Sequence, residues 1–410
     1  MTIAWNALAA RLETPAVLVD RARLDANIHR MQAKAAALGV ALRPHAKSHK
    51  SVEVARLQLA AGAVGLTVAT VEEACAFLQA GISSLTMAYP QPQSAKLDRC
   101  MALAIAQGAE LQFVADGLPV LTALADAAAR HPRSAANAHG DSRWGVFLKV
   151  DVGLGRCGVA PESGVLVELA QAISRFPALR LAGILSHAGH AYAAADRQGV
   201  AAIAGDETLK MALARMRLED AGFPPPVVSV GATPTALAAE SFPGQQELRP
   251  GNYVFLDLQA VRLGLATLDD PALWVLATVV SRNWKYCILD AGSKTLSSDA
   301  GPHGMILPAD ADADADLPRH GLAFPLRLES PGDADGYPIV KLSEEHAFMV
   351  HHGIGPRVGE QVRILPAHAC SVANLTEQLT VIHTDGRLEA WPVLARPGRA
   401  TLGEQGASTR

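Results

Sequence analysis

Between residues 16 and 254 the chain alternates short apolar runs with alanine-rich segments of helical spacing. The runs are AVLVD, VALRPH, GLTVAT, SLTMAY, LQFVAD, VFLKVD, LAGILSH, VVSVG and ELRPGNYVF; ARLDANIHRMQAKAAALG and VEEACAFLQAG are typical of what separates them. Strands joined by helices run parallel, because each helix carries the chain back to the end of the sheet where the preceding strand began. So many units predict a closed (β/α)8 barrel of the TIM type, in an α/β chain. An open doubly wound sheet is the rival, but no GxGxxG follows the first strand. Nine candidate strands compete for eight barrel places, and periodicity does not say which is the extra one.

After Leu265 the texture changes. WVLATVVSRN, YCILDAG, YPIVKLS, HAFMVHH, QVRILP and LTVIHTDG are separated by turn signals instead of helices, which predicts a second, mostly antiparallel β-domain. Two domains also suit a chain of 410 residues, since single cores stop growing at about 250–300. DADADAD at 310–316 reads as a solvated loop. The net charge of −4, from 36 basic and 40 acidic residues, argues against nucleic acid or an anionic membrane as partner. No apolar run approaches the ~20 residues of a membrane span, and the N-terminus lacks the pattern of a signal peptide. Five scattered cysteines, odd in number and never in CxxC spacing, predict reduced thiols in a cytoplasmic protein.

Barrel enzymes react at the C-terminal ends of their strands. Here those ends carry His45 with Lys47, Thr70, Tyr89, Asp116, Asp151, Ser186 with His187, and Ser229 followed by GATPT. In an extended chain Arg43, His45 and Lys47 share one face, while Leu42, Pro44 and Ala46 share the other. The apolar set suits the helices, so the basic set is expected to face inward. Desolvation lowers the pKa of a buried amine, which makes Lys47 a candidate nucleophile for a Schiff base. The bland alternative pairs it with Asp116 or Asp151, and spacing does not separate the two. Lys50 falls on the other face and reads as a surface charge.

GATPT at 231–235 opens a helical segment, and RPGNY at 249–253 is a second glycine-containing strand end. Late barrel loops with free N–H groups and hydroxyls hold phosphates. With an inward lysine, they point to pyridoxal phosphate (PLP). In PAHAC, His368 and Cys370 stand i, i+2, so on a strand they project together as an open metal pair suited to Zn²⁺. A structural histidine beside a buried free cysteine is the commoner fate of such residues.

Eight ordered stretches, RPHAKSHK, DVGLGRCGV, LSHAGHAY, SVGATPT, ELRPGNYVF, DAGSKTLSSD, SEEH and PAHAC, together resemble the metal-dependent D-serine dehydratases and D-threonine aldolases. These are fold-type III PLP enzymes with an alanine-racemase-like barrel and a β-domain. The resemblance runs from Thr14 to Arg396. It implies that Lys47 is the Schiff-base lysine and that Arg156 approaches the cofactor's phenolic oxygen. It further implies that His187 and Tyr192 line the ring, and that Gly231, Thr233, Asn252 and Tyr253 hold the phosphate. His368 and Cys370 would hold a divalent metal, zinc first, with manganese or magnesium as alternatives.

The same resemblance assigns AVLVD to the β-domain. The expected division is a PLP-binding barrel at 20–265, a metal-carrying β-domain at 266–396 plus 1–19, and a disordered tail at 397–410. It also implies a homodimer. The expected activity is dehydration of a 3-hydroxy-D-amino acid to a 2-oxo acid and ammonia, because the pair is His-x-Cys where some D-threonine aldolases carry aspartate second. Retro-aldol cleavage to glycine and an aldehyde is the alternative. A racemase would need a second base, and the only tyrosines in the β-domain are Tyr286 and Tyr337. A non-catalytic PLP carrier would have no use for a second domain.

Overall fold

The computed structural model describes residues 5, 8, 10–133, 141–300, 316–326 and 336–395. The first strand is β1 (Ala16–Asp20), and eight more follow: β2 (Ala41–Leu42), β3 (Leu66–Val68), β4 (Ser84–Met87), β5 (Glu110–Ala115), β6 (Trp144–Lys149), β7 (Leu179–Leu185), β8 (Val228–Val230) and β9 (Glu247–Leu248). Strands β2 to β9 form one parallel sheet in the order β2-β9-β8-β7-β6-β5-β4-β3. Its ends meet where His45 bridges Thr67 and where the Thr67 N–H donates to the Pro44 carbonyl at 2.8 Å. That contact closes the barrel, and it lies next to the basic stretch.

The helices between the strands follow from their apolar spacing. Helix Val71–Gln79 buries Val71, Ala74, Phe77 and Leu78 along one stripe, and Thr70 caps it by accepting from the Glu73 N–H. The strand-end threonine is thus a helix cap as well as a residue of the barrel mouth.

The second sheet contains β10 (Leu273–Arg282), β11 (Tyr286–Leu289), β12 (Gly321–Pro325), β13 (Tyr337–Leu342), β14 (Ala347–Val350), β15 (Gln361–Pro366), β16 (Gln378–Ile382) and β17 (Leu388–Pro392). Its order is β11-β14-β13-β12-β15-β10-β1-β16-β17, and a further β10–β11 pairing closes six of these strands into an antiparallel ring. β1 pairs antiparallel with β10 and parallel with β16, so AVLVD lies in this sheet and not in the barrel. β12 and β17 are not foreseen from sequence. GLAFP and LEAWP are short and end in proline, and cross-strand pairing outweighs their weak propensity. Of DADADAD, residues 310–315 lie outside the described residues, as does the tail 397–410; Asp316 pairs with Lys285 at 3.4 Å. No helix among the described residues is long and apolar enough to cross a membrane.

One expectation about the basic stretch fails. The strand written as VALRPH shrinks to Ala41–Leu42, and Ala46–Ser48 form a 3₁₀ turn. The alternation of faces therefore stops at His45 and cannot place Lys47. It does hold for Arg43, which enters the barrel interior, bonds Glu247 Oε2 at 2.6 Å and donates to Ser84 Oγ at 2.9 Å.

Removing one partner of a buried ion pair strands the other, at a cost of about 3–5 kcal/mol, whereas replacing both with apolar groups is often neutral. Glu247→Ala should therefore lower the urea midpoint of unfolding, followed by tryptophan fluorescence, far more than Arg43→Met with Glu247→Leu. An unchanged midpoint in Glu247→Ala would contradict this account of the barrel interior.

Candidate active site

A cavity of about 460 Å³ opens at the C-terminal mouth of the barrel and is roofed by helix Ala369–Leu375 of the second domain. Lys47 enters it from the 3₁₀ turn, which both domains hold. His45 Nδ1 accepts the Lys47 N–H at 3.4 Å from the barrel side. From the other side Asn374 Nδ2 donates to the Lys47 carbonyl at 3.0 Å, and the Cys370 thiol meets Ser48 Oγ at 3.1 Å. The Leu394 N–H donates to the Lys50 carbonyl at 2.8 Å.

Burial lowers the pKa of Lys47. Cys370 and Glu73 oppose that shift, while Arg156 and Arg249 add to it. The candidate partners of the bland reading are engaged elsewhere. Asp116 Oδ2 accepts the Gly158 N–H at 3.1 Å, and Asp151 Oδ1 accepts the Gly153 N–H at 3.0 Å. Both carboxylates organise the loop that carries Arg156.

Lys50 is not a surface charge. It is 7% exposed, lines the same cavity, and lies 3.4 Å from Glu73 Oε1, with its amine donating to the Ala395 carbonyl at 3.2 Å. The turn explains the reversal: Lys50 has φ +47°, and a left-handed residue does not follow strand parity.

Two further cations are missed by sequence reading. Arg249 is 4% exposed, donates to Ser229 Oγ at 2.7 Å and to the Ser186 carbonyl, and burial lowers its pKa to about 10. Lys149, at the end of β6, is 3% exposed and falls to about 7, through burial first and the charge of Arg249 second. An interior parity count along FLKVD and the arginine of RPGNY are the signals that mark them. Burial and neighbouring cations also push His45 and His187 well below the usual imidazole value, so both are neutral. His187 Nδ1–H donates to the Gly231 carbonyl at 3.3 Å, which leaves Nε2 as its acceptor.

The two late loops meet beside these cations. Gly231 has φ +110°, a conformation in which a side chain is strained. A Cβ on Gly251 would lie 2.8 Å from Ser48 Oγ and 2.9 Å from the His45 carbonyl, so glycine lets RPGNY approach the lysine turn. Thr233, Asn252, Arg156, Tyr192 and His187 all line the cavity. Burial holds the Tyr192 phenol well above its usual value, with Cys370 and Asp257 adding to the shift. Asn252 Nδ2 is committed to Asp257 Oδ2 at 2.6 Å, and the buried Tyr253 hydroxyl accepts from Gln58 Nε2 at 3.0 Å. Asn252 keeps a second Nδ2–H to donate and lines the cavity, whereas Tyr253 does not line it. A desolvated amine among Arg156, Arg249 and Lys149, with a glycine loop at its side, fits an anionic aldehyde such as PLP.

His368 and Cys370 also line the cavity, but not from a strand. His368 is the N-cap of helix Ala369–Leu375, and Cys370 sits in its first turn. The helix begins one residue after His368, so the i, i+2 strand argument does not apply. A cap and a first-turn residue still come together: burial lowers the His368 pKa, but with no cation bound its hydrogen bonds with Asp299 and Cys370 outweigh burial and raise it to about 10. Asp257 Oδ2 accepts the Ala369 N–H at 3.1 Å as well as Asn252 Nδ2, tying this helix to RPGNY. Among the described residues no group of three His, Cys, Asp or Glu side chains converges on one metal position, so the candidate pair stands as a pair. Tyr286 and Tyr337 do not line the cavity.

Comparison with known proteins adds the following. The alanine racemase N-terminal domain matches residues 19–259, and the serine dehydratase domain matches residues 272–382. The D-threo-3-hydroxyaspartate dehydratase of Delftia sp. (strain HT23) is 34% identical over 397 residues, covering 93% of this chain and 97% of that one. Its solved structure has a TM-score of 0.82 at 32% identity and covers 94% of this chain and 98% of that one. A substituted form of that enzyme was solved metal-free, with a TM-score of 0.81 and the same coverage. A D-threonine aldolase of Arthrobacter sp. is 30% identical over 394 residues, covering 94% of this chain and 93% of that one.

Lys149 gives a pH signature. Folded, it binds a proton only below about 7; unfolded, it binds one up to about 10.4. Between those values the unfolded chain holds more protons, so stability rises with pH across that window and is lost as pH falls back to about 7. The cofactor-free protein should gain stability from pH 7 to 9 in denaturant titrations, and Lys149→Met should flatten that slope. An equally steep slope in the variant would show that Lys149 is not the titrating group.

Proposed function

As the chain belongs to the fold-type III family in which an alanine-racemase-like barrel carries a serine dehydratase domain, we propose that it is a PLP- and metal-dependent dehydratase of 3-hydroxy-D-amino acids. It is a lyase of D-amino acids, like its dehydratase and aldolase relatives. The observation that carries the finer reading is that one cavity holds a desolvated amine, Lys47, opposite a thiol and imidazole, Cys370 and His368.

When bound, PLP supplies an electron sink for the pair left on Cα. A divalent cation, zinc in first place, supplies Lewis acidity to a hydroxyl on Cβ, which is otherwise a poor leaving group. The remaining work falls to the chain. Lys47 Nζ, whose pKa burial lowers, accepts the Cα proton. Neutral His45 and His187 add no positive charge beside it. Arg156 and Arg249 supply the cationic wall against which an anionic cofactor is held. Asn374 and Ser48 hold the lysine turn against the helix of Cys370, which keeps the groups for the two adjacent carbons in register. Loss of water across Cα–Cβ and hydrolysis of the resulting enamine give a 2-oxo acid and ammonia.

A sulfur at the second position of the pair supports dehydration over retro-aldol cleavage. The five cysteines are free, which supports a reducing compartment, the cytoplasm. We place the enzyme there as a homodimer. D-Serine, D-threonine and 3-hydroxy-D-aspartate all meet the chemical requirements.

Incubating the PLP-loaded protein with D-threonine should yield 2-oxobutanoate and ammonia in equal amounts, and chelation with EDTA should abolish turnover while the bound-cofactor absorbance remains. Glycine and acetaldehyde would reassign it as an aldolase. Full activity after chelation would remove the metal from the account.

A further inference from the structure

The last residue of DAGSKTLSSD, so far only a hydrogen-bond partner of His368, touches one member of the proposed metal pair. Asp299 Oδ2 lies 2.7 Å from His368 Nδ1. Ser371 Oγ donates to the same carboxylate oxygen at 3.2 Å and lies 3.1 Å from His368 Nδ1. We infer that Asp299 is a positioning residue for the cation, holding the His368 imidazole in the tautomer and orientation that leave Nε2 to bind it. The inference rests on the metal reading of the preceding section and adds a residue to it.

A carboxylate oxygen accepts, so the nitrogen facing it must carry hydrogen. With Nδ1 protonated, the only lone pair of a neutral imidazole is on Nε2, as a metal requires. The opposite tautomer would set an unshared pair against a carboxylate at hydrogen-bond distance, and the site would reject it. Ser371 narrows the choice further by pinning the same oxygen from the helix that bears Cys370.

The segment that delivers Asp299 is itself fixed. Helix Ser293–Leu296 buries Leu296 in the second domain, with 1% exposure. Ser297 then turns the chain at φ +64°, and its Oγ accepts the Asp299 N–H at 3.1 Å. A serine pays strain in that region, and here the strained turn aims a carboxylate at a ligand.

A direct ligand role is the competing assignment for Asp299. It is disfavoured because no three His, Cys, Asp or Glu side chains converge among the described residues, and because Oδ2 is occupied by Nδ1–H. A carboxylate behind a metal-bound histidine both orients the ring and raises its basicity, and its loss typically weakens metal binding about 10–100-fold.

The test is Zn²⁺ affinity of the full-length, PLP-loaded protein, measured by competition with a chromogenic chelator, with the cofactor absorbance recorded alongside. Asp299→Ala should bind Zn²⁺ about 10–100-fold more weakly with the absorbance unchanged. Asp299→Asn, whose side-chain oxygen can still accept from Nδ1–H, should lose less. Wild-type affinity in Asp299→Ala, within threefold, would overturn the role of Asp299 alone. Failure of the wild type to bind Zn²⁺ at all, or of His368→Ala to weaken it, would overturn the metal reading on which the inference stands. A variant that loses the cofactor absorbance together with the metal would assign Asp299 to the fold, and that too would overturn its role as a positioning residue.

Discussion

An amine that must stay neutral near physiological pH has to be kept from both water and carboxylates. At the barrel mouth burial lowers the pKa of Lys47 towards that state, and two arginines reinforce the effect. Glu73, the carboxylate that would undo it, is drawn aside by Lys50 at 3.4 Å and by the Ala69 N–H at 2.8 Å. The second lysine of the basic stretch thus occupies the acid that would otherwise charge the first. A cluster of cations is tolerable in such a place only when something anionic completes it, and a phosphate-bearing aldehyde does so.

The proposed chemistry spans two carbons. On the proposed reading, expelling a group from Cβ requires a second reactive set at a fixed distance, and helix Ala369–Leu375 brings His368 and Cys370 over the mouth. Asn374, on the same helix, bonds both the Lys47 carbonyl and the Cys370 carbonyl, at 3.0 and 2.7 Å. Asp257 joins the same helix to the glycine loop. Each contact is modest by itself, but together they remove the freedom of the two domains to slide where alignment matters.

Much of this was legible in the chain. Alternating strands and helices announce a parallel barrel because connection and direction are tied by geometry, and turn-separated valine-rich runs announce the antiparallel sheet. Lys47, His368 and Cys370 stand out because charged or soft groups at strand ends have few structural uses. The destination of AVLVD was not readable from periodicity, since an apolar strand suits either sheet, and only the family resemblance placed it. Lys50 and the His-x-Cys pair were assigned by strand parity, and parity ends where the backbone turns, at Ala46 and again at Ala369. Arg249, Lys149, Asp299 and Asn374 were missed for a common reason: their roles depend on partners in other elements, as far as 327 residues away for Asn374, and spacing names no partner.

The amines of Lys47 and Lys50 line the cavity where the cofactor is proposed to bind, a third, that of Lys149, lies near its arginines, and only one can be the attachment point. Borohydride reduction of the PLP-loaded protein followed by peptide mapping distinguishes them directly. The account predicts the reduced adduct on Lys47. An adduct on Lys50 or Lys149, or a protein that takes up no pyridoxal phosphate, would contradict it.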